Sequence, residues 1–186
     1  MSSIAVTASA TGTGTVTLLA PATSTNQTLT LPDATGTVLS TATAGVPING
    51  PAFSAYQSTA QAFTGGVAIK VQYQTKEFDT NSNFDNTTTY RFTPTVSGYF
   101  IVSAGLAMAS SPVGSQLFIF KNGTQYKVIF NNITTSATNG AYGSALVFFN
   151  GSTDYVEVYG AFATSQNSNT GISATYFQAA MIRSAT

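Results

Sequence analysis

From residue 51 onward, short runs of β-branched and aromatic residues alternate with turn-forming residues. The Asn122-Gly123 and Asn150-Gly151 pairs each stand between two apolar runs, and Asn-Gly is a strong signal for a tight turn between paired strands. No stretch of helical length shows a 3.6-residue apolar period. Many short strands joined by regular turns are typical of a β-sandwich or barrel. The pattern therefore predicts an all-β fold.

The alternation places ten strands in this region, separated by polar connections. The predicted strands span residues 52–56, 67–73, 76–79, 89–92, 98–108, 116–121, 125–130, 143–149, 155–162 and 174–183. The longest stretches without strand character, 81–88, 131–139 and 164–171, are rich in Asn, Ser and Thr, and we predict surface loops there. The aromatic residues within strands are expected to lie in the core: Phe92, Phe100, Phe118, Phe120, Phe130, Phe148 and Tyr176.

The first 50 residues have a different texture. Thr alternates with apolar residues at 15–19 and again at 28–31, and a proline follows each copy. Two or three such strands cannot bury a core alone, so this segment is expected to need a partner. We predict two parts, an anchoring segment with its linker over residues 1–50 and a sandwich domain over residues 51–186.

The charge content excludes several classes of partner. Only 6% of the residues are charged, and six basic residues balance six acidic ones, whereas an average soluble protein has about 25% charged residues. A neutral chain cannot neutralise a row of phosphates, so we expect no nucleic-acid partner. The absence of a Lys/Arg cluster and of a membrane-spanning apolar run predicts no membrane partner.

Few catalytic groups are present. The chain has no His and no Cys, which removes the usual base of a serine triad, thiol nucleophiles and most zinc sites. A glycosidase-like carboxylate pair is the remaining option, drawn either from Asp79 and Asp85 or from Asp154 and Glu157. We interpret these carboxylates as turn residues and predict no enzymatic activity and no cofactor. A polysaccharide-acting enzyme remains a third alternative.

An ordered set of motifs in the sandwich region resembles the C1q/TNF-like globular domain. The set runs from Phe78-Asp79 and Asn83-Phe84 through Tyr90-Arg91-Phe92-Thr93-Pro94, Gly98-Tyr99-Phe100-Ile101-Val102 and Phe120-Lys121-Asn122-Gly123 to residues 143–149, 154–158 and 174–182. The resemblance covers residues 52–183. It implies a ten-strand jelly roll that forms a homotrimer, with both chain ends at the same end of the domain.

The resemblance also suggests binding residues. Some trimers of this family bind calcium near their axis, and Asp79, Asn83, Asp85 and Asp154 supply hard oxygen ligands of the right type. Independently of the resemblance, a tyrosine in a loop can stack on a sugar, and Tyr126 and Tyr142 are the candidates. These six residues are the predicted surface-binding candidates, and calcium is the one cofactor they leave open.

Residues 31–38, with the Thr-Leu-Thr that precedes them, are similar to short Thr-rich repeats of bacteriophage tail fibres and other virion appendages. This second resemblance implies a virion structural protein at the particle surface, in the head or in a tail appendage. Residues 1–50 would attach to other virion proteins, and the knob would contact a host surface glycan or protein. The alternative is a trimeric capsid decoration or cement protein that stabilises the head.

Overall fold

A computed structural model of the protein describes residues 50–133 and 139–185, and these residues form a β-sandwich. The predicted fold class is therefore confirmed. Within these two ranges, no helix is long and apolar enough to cross a membrane. The strands and the attachment role predicted for residues 1–49 lie outside the described residues.

Eleven strands occur in the described part of the chain. They are β1 (Ala52–Tyr56), β2 (Ala62–Phe63), β3 (Ile69–Lys70), β4 (Thr75–Asp79), β5 (Gly98–Ala107), β6 (Ser115–Lys121), β7 (Thr124–Asn132), β8 (Gly140–Phe149), β9 (Val156–Ala161), β10 (Gln166–Asn167) and β11 (Tyr176–Ser184).

The strands form two main sheets. The first has five strands in the order β4-β1-β11-β5-β8, and the second has four in the order β3-β9-β6-β7. A short pair, β10-β2, stands apart from both. Every pairing is antiparallel, and β5 pairs with β8 along its whole length, from Gly98–Phe149 to Ala107–Gly140.

The core lies between the two sheets and is rich in phenylalanine. Phe53 of β1 stacks on Phe84 at 4.7 Å and on Phe92 at 4.5 Å between ring centroids, and Phe177 of β11 meets it edge-on at 4.9 Å. Phe100 also lies in the core, as predicted for it and for Phe92. Alternation explains the arrangement, because every second residue of a strand faces the opposite sheet.

The strand predicted at 89–92 is wrong. Only Phe92 makes a ladder contact there, bridging Phe84 on one side and Val156 on the other. Tyr90 has a φ of 51°, which is left-handed backbone and interrupts an extended strand. The alternating sequence therefore folds as an irregular hairpin over residues 82–95.

The strand predicted at 67–73 is much shorter than expected. Only Ile69 and Lys70 form a regular strand. Beyond them, side-chain amides take the place of a neighbouring strand: Gln61 donates to the Lys70 carbonyl at 2.7 Å and accepts from the Gln72 amide at 2.9 Å. Gln57 donates to the Gln72 carbonyl at 3.1 Å.

Two predicted loops contain strand residues. The loop predicted at 164–171 includes β10, and β7 continues to Asn132, inside the loop predicted at 131–139. Residues 134–138 of that loop lie outside the described residues.

The sandwich has two distinct ends. At the terminal end, Ala185 donates to the Ser97 carbonyl and Thr80 donates to the Ala52 carbonyl, so both ends of the described chain lie there, as the resemblance implies. The β6–β7 turn and residues 150–155 share this end. At the distal end lie residues 57–61, 108–114 and 162–175, tied together by the Gln57–Thr175 and Ala163–Val113 backbone hydrogen bonds.

Gly143 is a point of close approach between the sheets. A Cβ at this position would lie 2.1 Å from the Ile129 carbonyl oxygen of β7, which is far inside van der Waals contact. Gly143→Ala should therefore lower the free energy of unfolding by about 2 kcal/mol or more, measured by urea denaturation. The control Ser152→Ala, at an exposed position in the turn after β8, should change it by less than about 0.5 kcal/mol. Equal stabilities for the two variants would contradict the close approach of β8 to β7 at Gly143.

Candidate functional site

Asp79 and Asn83, two of the predicted binding residues, form one turn at the terminal end. Asp79 accepts hydrogen bonds from Lys76 Nζ at 2.9 Å, from the Asn83 amide at 2.9 Å and from the Phe84 amide at 3.0 Å. Burial acts to raise the pKa of the Asp79 carboxyl, but the hydrogen bonds from Lys76 and the two amides outweigh it, so the pKa lies below its usual value. The carboxylate therefore fixes the backbone where the hairpin begins.

Asp85 organises the tip of the same hairpin. Its two oxygens accept six hydrogen bonds, one from the backbone amide and one from the hydroxyl of each of Thr87, Thr88 and Thr89. The Thr88 hydroxyl is the largest of the causes that hold the pKa of Asp85 well below its usual range. A carboxylate so occupied has little capacity left for a metal ion.

Asp154 joins two turns at the terminal end. Lys121 Nζ lies 2.8 Å from its Oδ2, Asn122 donates to its Oδ1 at 2.8 Å, and the Asn150 amide donates at 3.0 Å. Burial acts to raise the pKa of the Asp154 carboxyl, but the hydrogen bonds from Asn122 and Lys121 outweigh it, and the pKa is lowered. The interpretation of these aspartates as turn residues fits this geometry.

Each carboxylate of the two proposed pairs is held by partners of its own. Glu157 forms its own ion pair with Lys70 at 2.7 Å, apart from the Lys121–Asp154 pair. The general acid of a glycosidase needs a raised pKa, whereas the pKa of Asp79, Asp85 and Asp154 is lowered. Within residues 50–133 and 139–185, no three His, Cys, Asp or Glu side chains cluster to hold a metal ion.

Tyr126 and Tyr142 are not loop residues, contrary to the prediction. Tyr126 lies on β7 and is exposed, with the ammonium groups of Lys121 and Lys127 at 6.0 and 5.6 Å from its ring centroid. Tyr142 lies on β8 and packs against Tyr176 at a centroid distance of 6.4 Å. A Cβ on Gly105 would come within 2.7 Å of both rings, so this glycine provides the space for the pair.

A feature that sequence reasoning missed is the outward face of the first sheet, which we call the apolar face. Its large members include Leu146 and Ile182, each about half exposed at 49% and 52%. The set comprises Phe78, Tyr99, Ile101, Tyr142, Leu146, Phe148, Tyr176 and Ile182. Phe148 and Tyr176 were expected in the core, and that expectation is wrong, because their strand neighbours Phe149 and Phe177 face inward instead.

The ladder register arranges the apolar face in rows across the sheet. A distal aromatic row holds Tyr56, Tyr176 and Tyr142, and an aliphatic row nearer the terminal end holds Ala180, Ile101 and Leu146. Between them runs a polar row of Ser54, Gln178, Ser103 and Ser144. Exposed aromatic and aliphatic rows of this kind, with one polar row between them, are typical of an interface between protein chains.

The charged groups on this face are sparse. Arg183 pairs in register with Tyr99 at the terminal edge of the face, and Glu77 Oε2 accepts from the Ser54 hydroxyl at 2.7 Å. A cleft of about 580 Å³ lies between Tyr99, Leu146, Phe148, Ile182 and Arg183, and a smaller one of about 130 Å³ includes Phe78, Ile101 and Gln178. These clefts are of a size to receive side chains from another molecule.

On the second sheet Phe118 is buried, 6% exposed, as predicted, whereas Phe120, also predicted for the core, is only half-buried. Phe118 and Phe120 alternate with the core residues Leu117 and Ile119, and Phe120 stacks on Tyr159 at 4.0 Å. Phe130 packs only partly buried against the core. The β6 residues that face the first sheet are therefore aliphatic, and the residues that alternate with them are aromatic.

Comparison with known proteins identifies the fold of the sandwich. No family model matches the chain, and no curated protein matches it. Among solved structures, the globular domain of zebrafish complement 1qA protein is similar, with a TM-score of 0.55, 17% sequence identity and coverage of 73% of this chain and 99% of that one. The TNF protein Eiger from S. frugiperda has a TM-score of 0.56 and 11% identity, covering 74% of this chain and 95% of its own.

Murine APRIL is also similar, with a TM-score of 0.55, 8% identity and coverage of 72% of this chain and 100% of that one. The described sandwich therefore has the jelly-roll fold of C1q and TNF globular domains. At these identities the similarity is one of fold. The resemblance of residues 31–38 to phage tail-fibre repeats stays a prediction.

The Asp154 contacts predict a pH-dependent contribution to stability. Because its pKa is lowered in the folded state, the contribution is full above the unfolded value of about 3.9 and is lost as pH falls below it. Asp154→Asn should therefore cost about 2 kcal/mol of unfolding free energy near neutral pH, and the difference from wild type should shrink near pH 3. Urea denaturation at both pH values measures it.

The control for this prediction is Glu77→Gln, which removes a carboxylate that forms no ion pair within the described residues. Its effect should be small at both pH values. If Asp154→Asn costs the same at acid and neutral pH, the ionised carboxylate is not the source of the stability.

Proposed function

We propose that this chain is a homotrimeric surface protein of a bacteriophage particle, without enzymatic activity. In this proposal residues 1–50 attach the protein to the particle and the sandwich contacts the host surface. The observation that supports self-association is the apolar face. The virion setting rests on the resemblance of residues 31–38 to tail-fibre repeats.

The apolar face supports a permanent contact between copies of the chain, because in a monomer its large apolar side chains would be exposed to water. Monomeric proteins rarely expose contiguous apolar patches of more than a few hundred Å². Here three neighbouring strands of the first sheet each present large side chains, among them Ile101 of β5, Leu146 of β8 and Ile182 of β11. Burying such side chains against another copy is favourable by roughly 25 cal/mol per Å² of apolar area, before the cost of association.

The C1q/TNF-like fold supports three copies around an axis. The polar row of Gln178, Ser103 and Ser144 crosses the middle of the apolar face, and polar groups inside an apolar interface favour one register over others. The clefts beside Phe148 and Phe78 offer places for a neighbour's side chains. A homotrimer would account for the low charge of the chain, since a large part of each copy's surface would face another copy.

The position of the chain ends supports an outward-facing distal end. Gly50 lies beside Met181 at the terminal end, where the described chain begins. An anchor over residues 1–50 would therefore hold the terminal end toward the particle. The loops at 57–61, 108–114 and 162–175 would then point away from it. Asp79, Asn83 and Asp154 lie at the terminal end, whereas Tyr142 lies in the distal half.

Leu146→Lys tests the trimer. It places a charge in the aliphatic row of the apolar face, where burial of an unpaired ammonium is costly. We expect the wild-type chain to run as a trimer in size-exclusion chromatography with light scattering and the variant to dissociate or lose at least a factor of about 100 in association affinity. Val67→Lys, which changes an equally exposed residue in the β2–β3 connection, should remain trimeric.

A monomeric wild-type chain at micromolar concentration would contradict the trimer. So would equal behaviour of the two lysine variants, because the contact would then lie elsewhere on the surface.

Removing the anchoring segment separates attachment to the host from stabilisation of the head. Deletion of residues 1–45 should release the protein from the particle and abolish host adsorption while leaving the heat stability of the capsid unchanged. Adsorption to cells and heat inactivation of particles are the two measurements. Loss of capsid heat stability with normal adsorption would instead favour the decoration or cement alternative.

A further inference from the structure

The hairpin over residues 82–95 forms a polar cleft on the flank of the sandwich. The cleft has a volume of about 390 Å³, which is within the range of small-molecule sites, and its lining includes Asn83, Asp85, Arg91 and Thr93. Arg91, Thr93 and Thr95 project into it together because they alternate along an extended segment whose intervening Phe92 faces the core. Two residues predicted from the sequence as binding candidates, Asn83 and Asp85, thus meet an arginine that was not among them.

Arg91 is the group that gives the cleft its chemistry. Its guanidinium lies over the ring of Tyr155, 4.5 Å from the centroid, and within the described residues it forms no ion pair. A guanidinium over an aromatic ring gains cation–π stabilisation and can still donate hydrogen bonds from its N–H groups. By contrast, Lys70, Lys76 and Lys121 are each paired with a carboxylate.

The other polar groups of the cleft divide into occupied and available ones. The Asp85 carboxylate is occupied by the amides and hydroxyls of Thr87, Thr88 and Thr89. Asn83 is held by contacts with Asn81 and Thr95. Ser82 and Thr93 also line the cleft, and within the described residues neither hydroxyl makes a hydrogen bond, so both are available to a ligand.

We propose that this cleft binds an acidic sugar, with the sugar carboxylate paired to the Arg91 guanidinium and its hydroxyls hydrogen-bonded to Ser82 and Thr93. The planar fork of arginine matches a carboxylate in a bidentate arrangement. The lining holds one cation, Arg91, and one anion, Asp85, so it suits a ligand with a single carboxylate rather than a more highly charged phosphate. The hydroxyl lining suits a polyol. None of the residues that line the cleft belongs to the apolar face.

The cleft lies toward the terminal end, since Asn83 and the Tyr155 ring under Arg91 are both there. The inference therefore goes beyond the proposed contact of the distal loops with the host and does not rest on it. Its test does not depend on the trimer. Full-length protein is titrated calorimetrically with D-glucuronate, D-galacturonate, glucose and acetate, and the oligomeric state of each sample is recorded by light scattering. Failure of the trimer and failure of the sugar site are thereby distinguished.

We expect weak binding of a uronate, on the order of millimolar, with glucose and acetate each at least about tenfold weaker. Arg91→Gln should reduce uronate affinity by about tenfold or more, and Arg91→Lys should also weaken it because the fork is lost. Lys127→Gln removes a cation from exposed β7 and should leave the affinity unchanged. Thr93→Val, which keeps the side-chain shape, gives a second variant should Arg91→Gln fail to fold.

Several results would overturn the proposal. Equal affinity for glucose and glucuronate would remove the role of the carboxylate. Unchanged uronate binding in folded Arg91→Gln would place the ligand elsewhere, and a matching loss in Lys127→Gln would indicate non-specific attraction to positive charge. No binding of either uronate by the wild-type protein would remove the site altogether.

Discussion

The stacking of Phe53 between Phe84 and Phe92 is the contact on which the rest of the sandwich depends. Phe53 belongs to the first sheet, and Phe92 is bridged to β9 of the second. Phe84 fastens the flank hairpin to the same cluster at a centroid distance of 4.7 Å. Each such aromatic pair adds about 0.5–1.5 kcal/mol beyond the burial of its area. The cluster therefore holds the two sheets together and also fixes the hairpin that positions Arg91.

Much of the sandwich could be predicted from the sequence, because its signals are local. Strand alternation located β1 at Ala52–Tyr56, and the Asn122-Gly123 pair located the turn between β6 and β7. The errors arose where the backbone is held by distant groups. The Gln61 side chain forms hydrogen bonds with the backbone of residues 70 and 72. The left-handed backbone at Tyr90 interrupts the strand that the alternation predicts. Neither feature leaves a periodic pattern.

The candidate sites were less predictable than the fold. Carboxylates at turns were recognisable by residue type, but the partners that hold Asp154 come from the neighbouring β6–β7 turn, distant in sequence. The apolar face was hidden because β8 is apolar in both phases: Val147 faces the core while Leu146 and Phe148 face out. Only the register of five strands shows that these outward residues form one surface. The spacing in the sequence could not separate a core from an interface.

The small number of charges bears on both the apolar face and the Arg91 cleft. Three of the four lysines of the described residues neutralise carboxylates of the turns and sheet edges, so they contribute little attraction for a ligand. A chain of this kind cannot hold a charged host surface by a broad electrostatic patch. Such a chain can instead bind a surface through several copies of one weak site. If the apolar face joins three copies, each trimer carries three Arg91 clefts, and three weak sites on one rigid body bind a sugar-coated surface far more tightly than any single cleft. In that arrangement self-association is what would make a weak, single-arginine site sufficient to bind a surface that carries acidic sugars.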